Sequence, residues 1–103
     1  MSDSARPYRL SPLAERDLEE IWFYTFENWS AEQADRYHNQ IMAAIEGLAN
    51  GSRQGRFIDD IRPGYRKLAV ASHFLFYCIT DAELIDIIRV LHQRMDAASR
   101  LQD

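Results

Sequence analysis

Hydrophobic positions in the first third of the chain repeat at helical spacing. From Pro12 to about Asn28 an apolar residue recurs every three or four positions, and acidic side chains occupy the opposite face. Ser11 before Pro12 is typical of an N-cap with proline in the first helical turn. The pattern predicts a helix, preceded by a short strand at residues 8–10. Its predicted inward face consists of Ala14, Leu18, Ile21, Trp22, Thr25 and Trp29.

A second helix is predicted after a short connection. Ser30 followed three residues later by Gln33 matches a capping box, and Asn50-Gly51 supplies a left-handed C-cap. Because the connection is short, the two helices are predicted to form an antiparallel αα-hairpin. The predicted inward positions of the second helix are Ala34, Tyr37, Ile41, Ile45 and Leu48.

The second half of the chain changes to a period of two. After a predicted loop over residues 50–64, β-forming residues gather in three runs, 65–71, 73–80 and 84–91. Short turns between them predict an antiparallel three-strand meander, with the N-terminal strand at an edge of the sheet. The almost continuous apolar run at 74–79 indicates a central strand that is covered on both faces.

The C-terminal residues 95–103 predict a short helix that begins near Asp96, with Ala97, Ala98 and Leu101 facing inward. The fold class is therefore α+β, an N-terminal strand and αα-hairpin packed on an antiparallel sheet. A length of 103 residues provides one hydrophobic core, so residues 1–103 are expected to form a single domain.

The charge balance narrows the class of partner. The net charge is −4, which disfavours a protein whose affinity depends on neutralising nucleic-acid phosphates. Residues 1–51 hold 4 basic and 9 acidic groups, whereas residues 52–103 hold 8 and 7. Eleven of the twelve cations are arginine, the cation better suited to protein interfaces. Composition therefore favours protein recognition over direct nucleic-acid binding.

The expected cellular location depends on three features: disulfide bonds, a signal peptide and membrane-spanning segments. Cys78 is the only cysteine, so an internal disulfide is impossible and a reducing compartment is expected. Met1–Pro7 has no apolar stretch after a basic start, and no run of the sequence is long enough to cross a bilayer. We expect a cytoplasmic protein with no membrane partner.

Cofactor chemistry finds little support in the sequence. His38, His73 and His92 are far apart in the chain without metal-ligand spacing, and no glycine-rich phosphate loop follows a strand. Cys78 lies in the most apolar run and is expected to be an inert core side chain. No cofactor or metal is expected. The acidic run of Glu15, Asp17, Glu19 and Glu20 is interpreted as a solvated helix face.

An aromatic surplus on the first helix is the first candidate site. The helix holds more aromatic bulk than one apolar stripe can bury, and Phe23 falls among the charged residues. Two interpretations stay open: stray surface aromatics, or a partner-binding surface centred on Phe23. The crowded residues are Trp22, Phe23, Tyr24, Phe26 and Trp29, and Leu13 and Tyr24 are expected to form a groove rim.

A second candidate site combines arginine, histidine and tyrosine on or just beyond the three predicted strands. Such groups, when close together, can hold a phosphate and move a proton, as an RNA-cleaving site requires. They can equally be anchors in a protein interface, or solvated side chains. The residues concerned are Arg66, Tyr77, Arg89, His92 and Arg94.

In their order and spacing these motifs resemble the ParE toxins of the RelE/ParE superfamily of bacterial toxin–antitoxin systems. The resemblance covers nearly the whole chain, and its Val-Leu-His-x-Arg ending at residues 90–94 is the most specific part. It rests on residues 10–21, Ala34, Tyr37, Leu48-Ala49, residues 63–68, Phe76-Tyr77 and residues 88–96.

The resemblance implies a toxin that is neutralised by a cognate ParD-like antitoxin and acts by inhibiting DNA gyrase, without catalytic residues of its own. The antitoxin is expected to bind Leu13, Trp22, Phe23 and Tyr24. The expected target-binding residues are Arg66, Arg89, His92 and Arg94.

Two alternatives remain open at this point. A RelE-like, ribosome-dependent mRNA endoribonuclease would use Arg66, Tyr77, His92 and Arg94. An interaction module without toxicity would neither inhibit gyrase nor cleave mRNA. The acidic charge favours the gyrase-directed toxin over the nuclease, because docking to ribosomal RNA requires a cationic field.

Overall fold

A helical hairpin precedes most of the sheet along the chain. The computed structural model describes residues 6–101, so the expectations for Met1–Ala5 and for the last two residues lie outside the described part. The elements are β1 (Tyr8–Leu10), α1 (Pro12–Asn28), α2 (Ala31–Asn50), β2 (Arg56–Phe57), β3 (Arg66–Val70), β4 (His73–Ile79), β5 (Ile85–His92) and α3 (Ala97–Arg100). The predicted α+β fold is confirmed.

Both long helices begin, and α2 ends, where local chemistry dictates. The hydroxyl of Ser11 accepts the Ala14 N–H at 3.0 Å, and the hydroxyl of Ser30 accepts the Gln33 N–H at 3.0 Å. Gly51 ends α2 in the left-handed region at φ 83°, which glycine adopts without a Cβ clash. The predicted αα-hairpin is confirmed.

The sheet has the order β1-β5-β4-β3-β2. Strands β3, β4 and β5 form the predicted antiparallel meander, and β1 pairs parallel to β5 at one edge. Strand β2 pairs antiparallel to β3 and lies within the predicted loop. The sequence did not indicate this strand because two residues are too few to establish an alternating pattern.

Side chains of β4 and β5 enter two separate cores. The face under the α1–α2 hairpin buries Leu75, Tyr77, Ile85, Ile87 and Val90. The opposite face buries Phe76 and Leu91 against Ile58 and Leu101. The prediction that the central strand is covered on both faces is therefore confirmed.

The short helix α3 belongs to the second of these cores. The carboxylate of Asp96 accepts the Ala98 N–H, so the predicted cap is present. Leu101 is buried and Ala97 is partly buried, as expected. Ala98 is exposed, contrary to the prediction, because so short a helix turns only one side to the sheet.

Strand β5 extends beyond β1, and α1 occupies that uncovered edge. The Ser11 N–H donates to the Ile87 carbonyl at 2.9 Å, and the Ser11 hydroxyl donates to the Ile88 carbonyl at 2.7 Å. Asp17 accepts the Val90 N–H at 2.9 Å. Backbone groups that an open edge would leave unpaired are thus satisfied by the N–H and hydroxyl of Ser11, the N-cap of α1, and by the carboxylate of Asp17.

Two residues of α1 depart from the periodicity. Asp17 was expected on a solvated face but is only 7% exposed, because it pairs with the edge of β5. Trp29 was expected on the inward stripe but is 68% exposed. It is the C-cap residue, with φ −134° and ψ −89°, so helical spacing no longer sets the direction of its side chain.

Candidate functional site

An open groove with a volume of about 430 Å³ runs between α1 and α2. Its walls combine apolar side chains with acidic ones, and the exposed area inside it is mostly apolar. A groove of this size accommodates several side chains of a partner segment. It is lined by Leu10, Glu15, Leu18, Glu19, Trp22, Phe23, Asp35 and His38.

Trp22 anchors the aromatic part of the groove. Its indole N–H donates to the carboxylate of Asp35 on α2 at 2.8 Å, which links the two helices. Phe26 stacks on the indole with ring centroids 5.3 Å apart, and Phe23 meets it edge-on at 5.3 Å. The three rings hold each other in place, so they form a preformed surface at little further cost in side-chain entropy.

Phe23 lies outside the core, as the sequence predicted. It is 59% exposed and belongs to neither core cluster. An aromatic ring in this position loses water contact only when a partner covers it.

Leu13 and Tyr24 lie on the other flank of α1. At about 100° per residue, Tyr24 is about 100° and Leu13 about 80° around the helix from Phe23, on the side opposite Trp22. Both side chains are more than half exposed, and neither lines the groove. The expectation that they form its rim is wrong. Two of the four expected antitoxin-binding residues, Trp22 and Phe23, are brought together there.

Charge along the groove is acidic. Glu15, Glu19 and Asp35 all lie on its walls, and His38 is the one histidine among the lining residues. Asp35 is bound to the indole of Trp22, whereas no described residue binds the carboxylates of Glu15 and Glu19. The groove therefore presents an apolar centre with a negatively charged wall on α1.

The residues of the second candidate site do not converge. Arg66 faces Tyr77 across β3 and β4. His92 faces His73 across β4 and β5. His73 and Tyr77 are four residues apart on β4, which is about 13 Å at the rise of a strand. Arg94 is exposed just beyond β5. The prediction of one constellation is therefore wrong, because the groups lie at opposite ends of a strand.

Arg89 is engaged within the protein. Its Nε and Nη2 donate to the carboxylate of Asp17 at 2.7 and 2.9 Å, and the ion pair is mostly buried. Nη1 reaches the Arg100 carbonyl at 3.3 Å. Binding to Asp17 raises the pKa of Arg89 further above its ordinary value. The structure thus does not present Arg89 as the exposed anchor that the sequence suggested.

His73 and His92 form a pair that sequence reasoning missed. Their ring centroids are 5.2 Å apart, and the Tyr37 hydroxyl lies 2.7 Å from Nδ1 of His73. The same hydroxyl accepts the Ser72 N–H at 3.1 Å, so its own proton is available to His73. Burial, with the neighbouring His92, lowers the pKa of His73 to about 4. The ring is therefore neutral near pH 7.

Comparison with known proteins decides the family. The family described as "ParE toxin of type II toxin-antitoxin system, parDE" matches residues 8–97. The chain belongs to the ParE toxin family.

Relatives in this family align over almost the full chain. Toxin ParE1 of Mycobacterium tuberculosis (strain ATCC 25618 / H37Rv) is 50% identical over 94 residues, covering 91% of this chain and 96% of that protein. Toxin ParE1 of Caulobacter vibrioides is 42% identical over 96 residues, covering 93% and 98%. A solved structure titled "Chromosomal ParDE TA system from P. aeruginosa" shares the fold with a TM-score of 0.75 at 18% identity, covering 87% of this chain and 98% of that one.

The single cysteine of this ParE-family chain is not an activated nucleophile. Cys78 is only partly buried, whereas the sequence predicted a core side chain. Burial raises the pKa of its thiol, and the neighbouring carboxylate of Asp86 acts in the same direction. Since the thiolate is the reactive form, both effects make the thiol less reactive than an ordinary cysteine.

Residues 6–101 of this ParE-family protein hold no cluster of metal ligands and no helix that could cross a membrane. No three His, Cys, Asp or Glu side chains in that range come close enough to share a metal ion. Neither α1 nor α2 combines the length and the apolar character that a membrane span requires, and α3 is too short.

Proposed function

We propose that this protein is the toxin of a two-component system and that a ParD-like antitoxin neutralises it by occupying the groove between α1 and α2. The observation that carries the proposal is the groove itself, with the contacting rings of Trp22 and Phe23 in its lining. Exposed aromatic rings of this kind are the usual anchors of a protein interface. Family membership supplies the class of partner.

The chemistry of the groove specifies the antitoxin segment. An apolar centre calls for aliphatic side chains on successive turns of a helix, at i, i+3 or i+4 and i+7, or at alternate positions of a strand. The acidic wall formed by Glu15 and Glu19 calls for lysine or arginine beside them. We therefore expect an amphipathic, basic segment that becomes ordered when it binds.

Leu13 and Tyr24 remain candidates for a second contact. Because they lie on the opposite flank of α1, a segment that fills the groove reaches them only by passing over the helix. We expect them to contribute less than Phe23, since their position lacks concave walls that exclude water.

As the mechanism of toxicity, we propose that the protein binds DNA gyrase and inhibits it. The net charge of −4 argues against docking to ribosomal RNA. The separation of Arg66 and Tyr77 from His92 argues against a single catalytic centre built from them. Candidate contacts with the target remain Arg66, His92 and Arg94. We expect the toxin and its antitoxin to be cytoplasmic.

A parallel assay tests this function. The purified protein is added to a gyrase supercoiling reaction and to ribosomes translating a defined message, each with and without a ParD-like antitoxin. We expect supercoiling to be inhibited, the message to stay intact, and antitoxin to restore supercoiling. Cleaved message without gyrase inhibition would establish the endoribonuclease alternative, and no effect in either reaction would favour an interaction module without toxicity.

A further inference from the structure

A second cavity, with a volume of about 200 Å³, lies where the C-terminal end of α2 meets β3 and β4. It shares no lining residue with the groove between the helices. Its polar lining consists of Arg6, Arg53, Gln54, Arg66 and Tyr77. In a chain with a net charge of −4, three guanidinium groups around one cavity are an unusual concentration of positive charge.

Most of this positive charge is uncompensated. None of the described residues that line the cavity is acidic. Arg6 is paired with Glu83 at 2.9 Å, but no acceptor within residues 6–101 reaches the guanidinium of Arg53 or Arg66. The Nε of Arg66 is shielded from solvent and has no hydrogen-bond partner. A shielded donor without an acceptor costs free energy, and the negative charge of an anion in the cavity would reduce the cost of holding this guanidinium without a counter-ion.

The donors are also held in place. The guanidinium of Arg66 lies over the ring of Phe57, 4.2 Å from its centroid. The aliphatic stem of Arg53 lies against Gly47, where a Cβ would come within 2.7 Å of its Cγ and Cδ. Contacts of this kind restrict both side chains, so each loses less entropy on binding a ligand than an unrestrained arginine would.

Tyr77 contributes a further donor. Its hydroxyl accepts the Gly55 N–H at 2.8 Å, and no acceptor in the described part of the chain takes its proton. The ring is 1% exposed, so its direction is fixed by the core. The O–H is therefore free to donate to a group in the cavity.

We propose that this cavity binds a phosphate group, either inorganic phosphate or the terminal phosphate of a mononucleotide. Two uncompensated guanidinium groups match the charge of about −1.5 to −2 that such a phosphate carries near pH 7. The oxygens of a phosphate point in several directions, and so they can meet the donors of Arg66 on β3, Tyr77 on β4 and Arg53 after α2 at the same time. A carboxylate offers only one charge and two coplanar oxygens. This inference goes beyond the proposed function and does not depend on antitoxin or gyrase.

Nuclear magnetic resonance of the ¹⁵N-labelled full chain tests the site directly. The protein is titrated at constant ionic strength with inorganic phosphate, with adenosine 5′-monophosphate and with acetate. We expect both phosphates to shift the Nε–Hε resonance of Arg66 and the amides near Gly55 in a saturable manner. Tighter binding of the nucleotide than of inorganic phosphate would identify the ester as the source, and the reverse order would identify free phosphate.

Three variants complete the experiment. Arg66→Gln and Arg53→Gln each remove one uncompensated guanidinium, and each is expected to weaken phosphate binding at least about tenfold. Arg53 is exposed, so its variant is expected to fold even if Arg66→Gln does not. Arg56→Gln, an exposed arginine of β2 outside the cavity, is the matched control and should change the affinity less than about twofold.

Three outcomes would overturn the proposal. The first is acetate binding as tightly as phosphate, which would assign the site to carboxylates. A second is equal weakening by Arg56→Gln and Arg53→Gln, which would indicate general attraction to surface charge. The third is the absence of a saturable shift at Arg66 with either phosphate.

Discussion

The carboxylate of Asp17 binds the guanidinium of Arg89 through two hydrogen bonds of 2.7 and 2.9 Å and also accepts the backbone N–H of Val90. One side chain of α1 therefore satisfies both a cation and an unpaired backbone donor on β5. Because β1 ends at Leu10, this contact replaces the strand pairing that β5 lacks there. It fixes α1, and with it one wall of the groove, to the sheet.

Removal of this carboxylate should destabilise the protein strongly. Asp17→Ala leaves the mostly buried Arg89 without its counter-charge and the Val90 N–H without an acceptor. We expect a loss of about 2–4 kcal/mol in the free energy of unfolding, measured by urea denaturation.

The matched control uses an exposed ion pair on the same helix. Glu20 pairs with Arg16 at 3.6 Å, and both side chains are well exposed to solvent. Glu20→Ala should change the free energy of unfolding by less than about 0.5 kcal/mol. Equal effects of the two substitutions would show that Asp17 does not join the helix to the sheet.

Acid should destabilise the protein through His73. Its pKa is about 4 in the folded protein and about 6.5 in an unfolded chain, so between these values the unfolded state binds more protons. The stability contributed by the neutral ring is complete above pH 6.5 and is lost as the pH falls toward 4. Allowing for the solvent that reaches the ring, the loss is about 1–2 kcal/mol.

Urea denaturation between pH 4 and 7 measures this loss. His73→Gln has no titrating group at that position, so its stability should fall less steeply over the same range. Identical pH profiles for the variant and the wild-type protein would contradict the assignment to His73.

The close approach of the chain at Gly55 leaves no room for a Cβ, so even alanine should destabilise the fold. A Cβ there would lie 2.5 Å from the Lys67 carbonyl oxygen and 2.8 Å from the Tyr77 ring and hydroxyl. Neither the β3 backbone nor the buried ring can move freely, so Gly55→Ala should cost about 1–3 kcal/mol. Ser52→Ala, a nearby exposed position, serves as the control, and a thermal unfolding midpoint that is equal in both variants would refute the contact.

The flank of α1 gives a separate prediction for the antitoxin complex. Leu13→Ala and Tyr24→Ala should weaken antitoxin binding by less than about tenfold, because neither residue lines the groove. Isothermal titration calorimetry with a ParD-like antitoxin that binds the wild-type protein measures this. A loss as large as that of Phe23→Ala would mean that the antitoxin binds both flanks of α1 equally.

The sequence was sufficient for elements whose evidence is local. The caps at Ser11 and Ser30, the left-handed Gly51 and the period-two strands were all predicted, because each depends on neighbours within a few residues. The exposure of Phe23 was predicted for the same reason, since helical periodicity alone places it off the inward stripe.

Features that depend on distant pairing were not predictable in the same way. Asp17 was interpreted as part of a solvated face, because nothing near it in sequence indicates that β5 extends beyond the end of β1. The pair of His73 and His92 depends on the register of the β4–β5 hairpin. Its signal was present, since one histidine begins β4 and the other ends β5, but a bulge in the register made their alignment uncertain from spacing alone.

In the proposed function, the groove between α1 and α2 is the surface that binds the antitoxin. Two phenylalanines of equal exposure test it: Phe23 in the groove is 59% exposed, and Phe57 on β2 is 58% exposed. The measurement is the affinity of the antitoxin for Phe23→Ala and Phe57→Ala, with thermal unfolding of both variants. We predict that Phe23→Ala weakens binding by about thirtyfold or more with little change in unfolding, while Phe57→Ala leaves the affinity unchanged. Unchanged affinity in Phe23→Ala, or equal losses in the two variants, would contradict the claim.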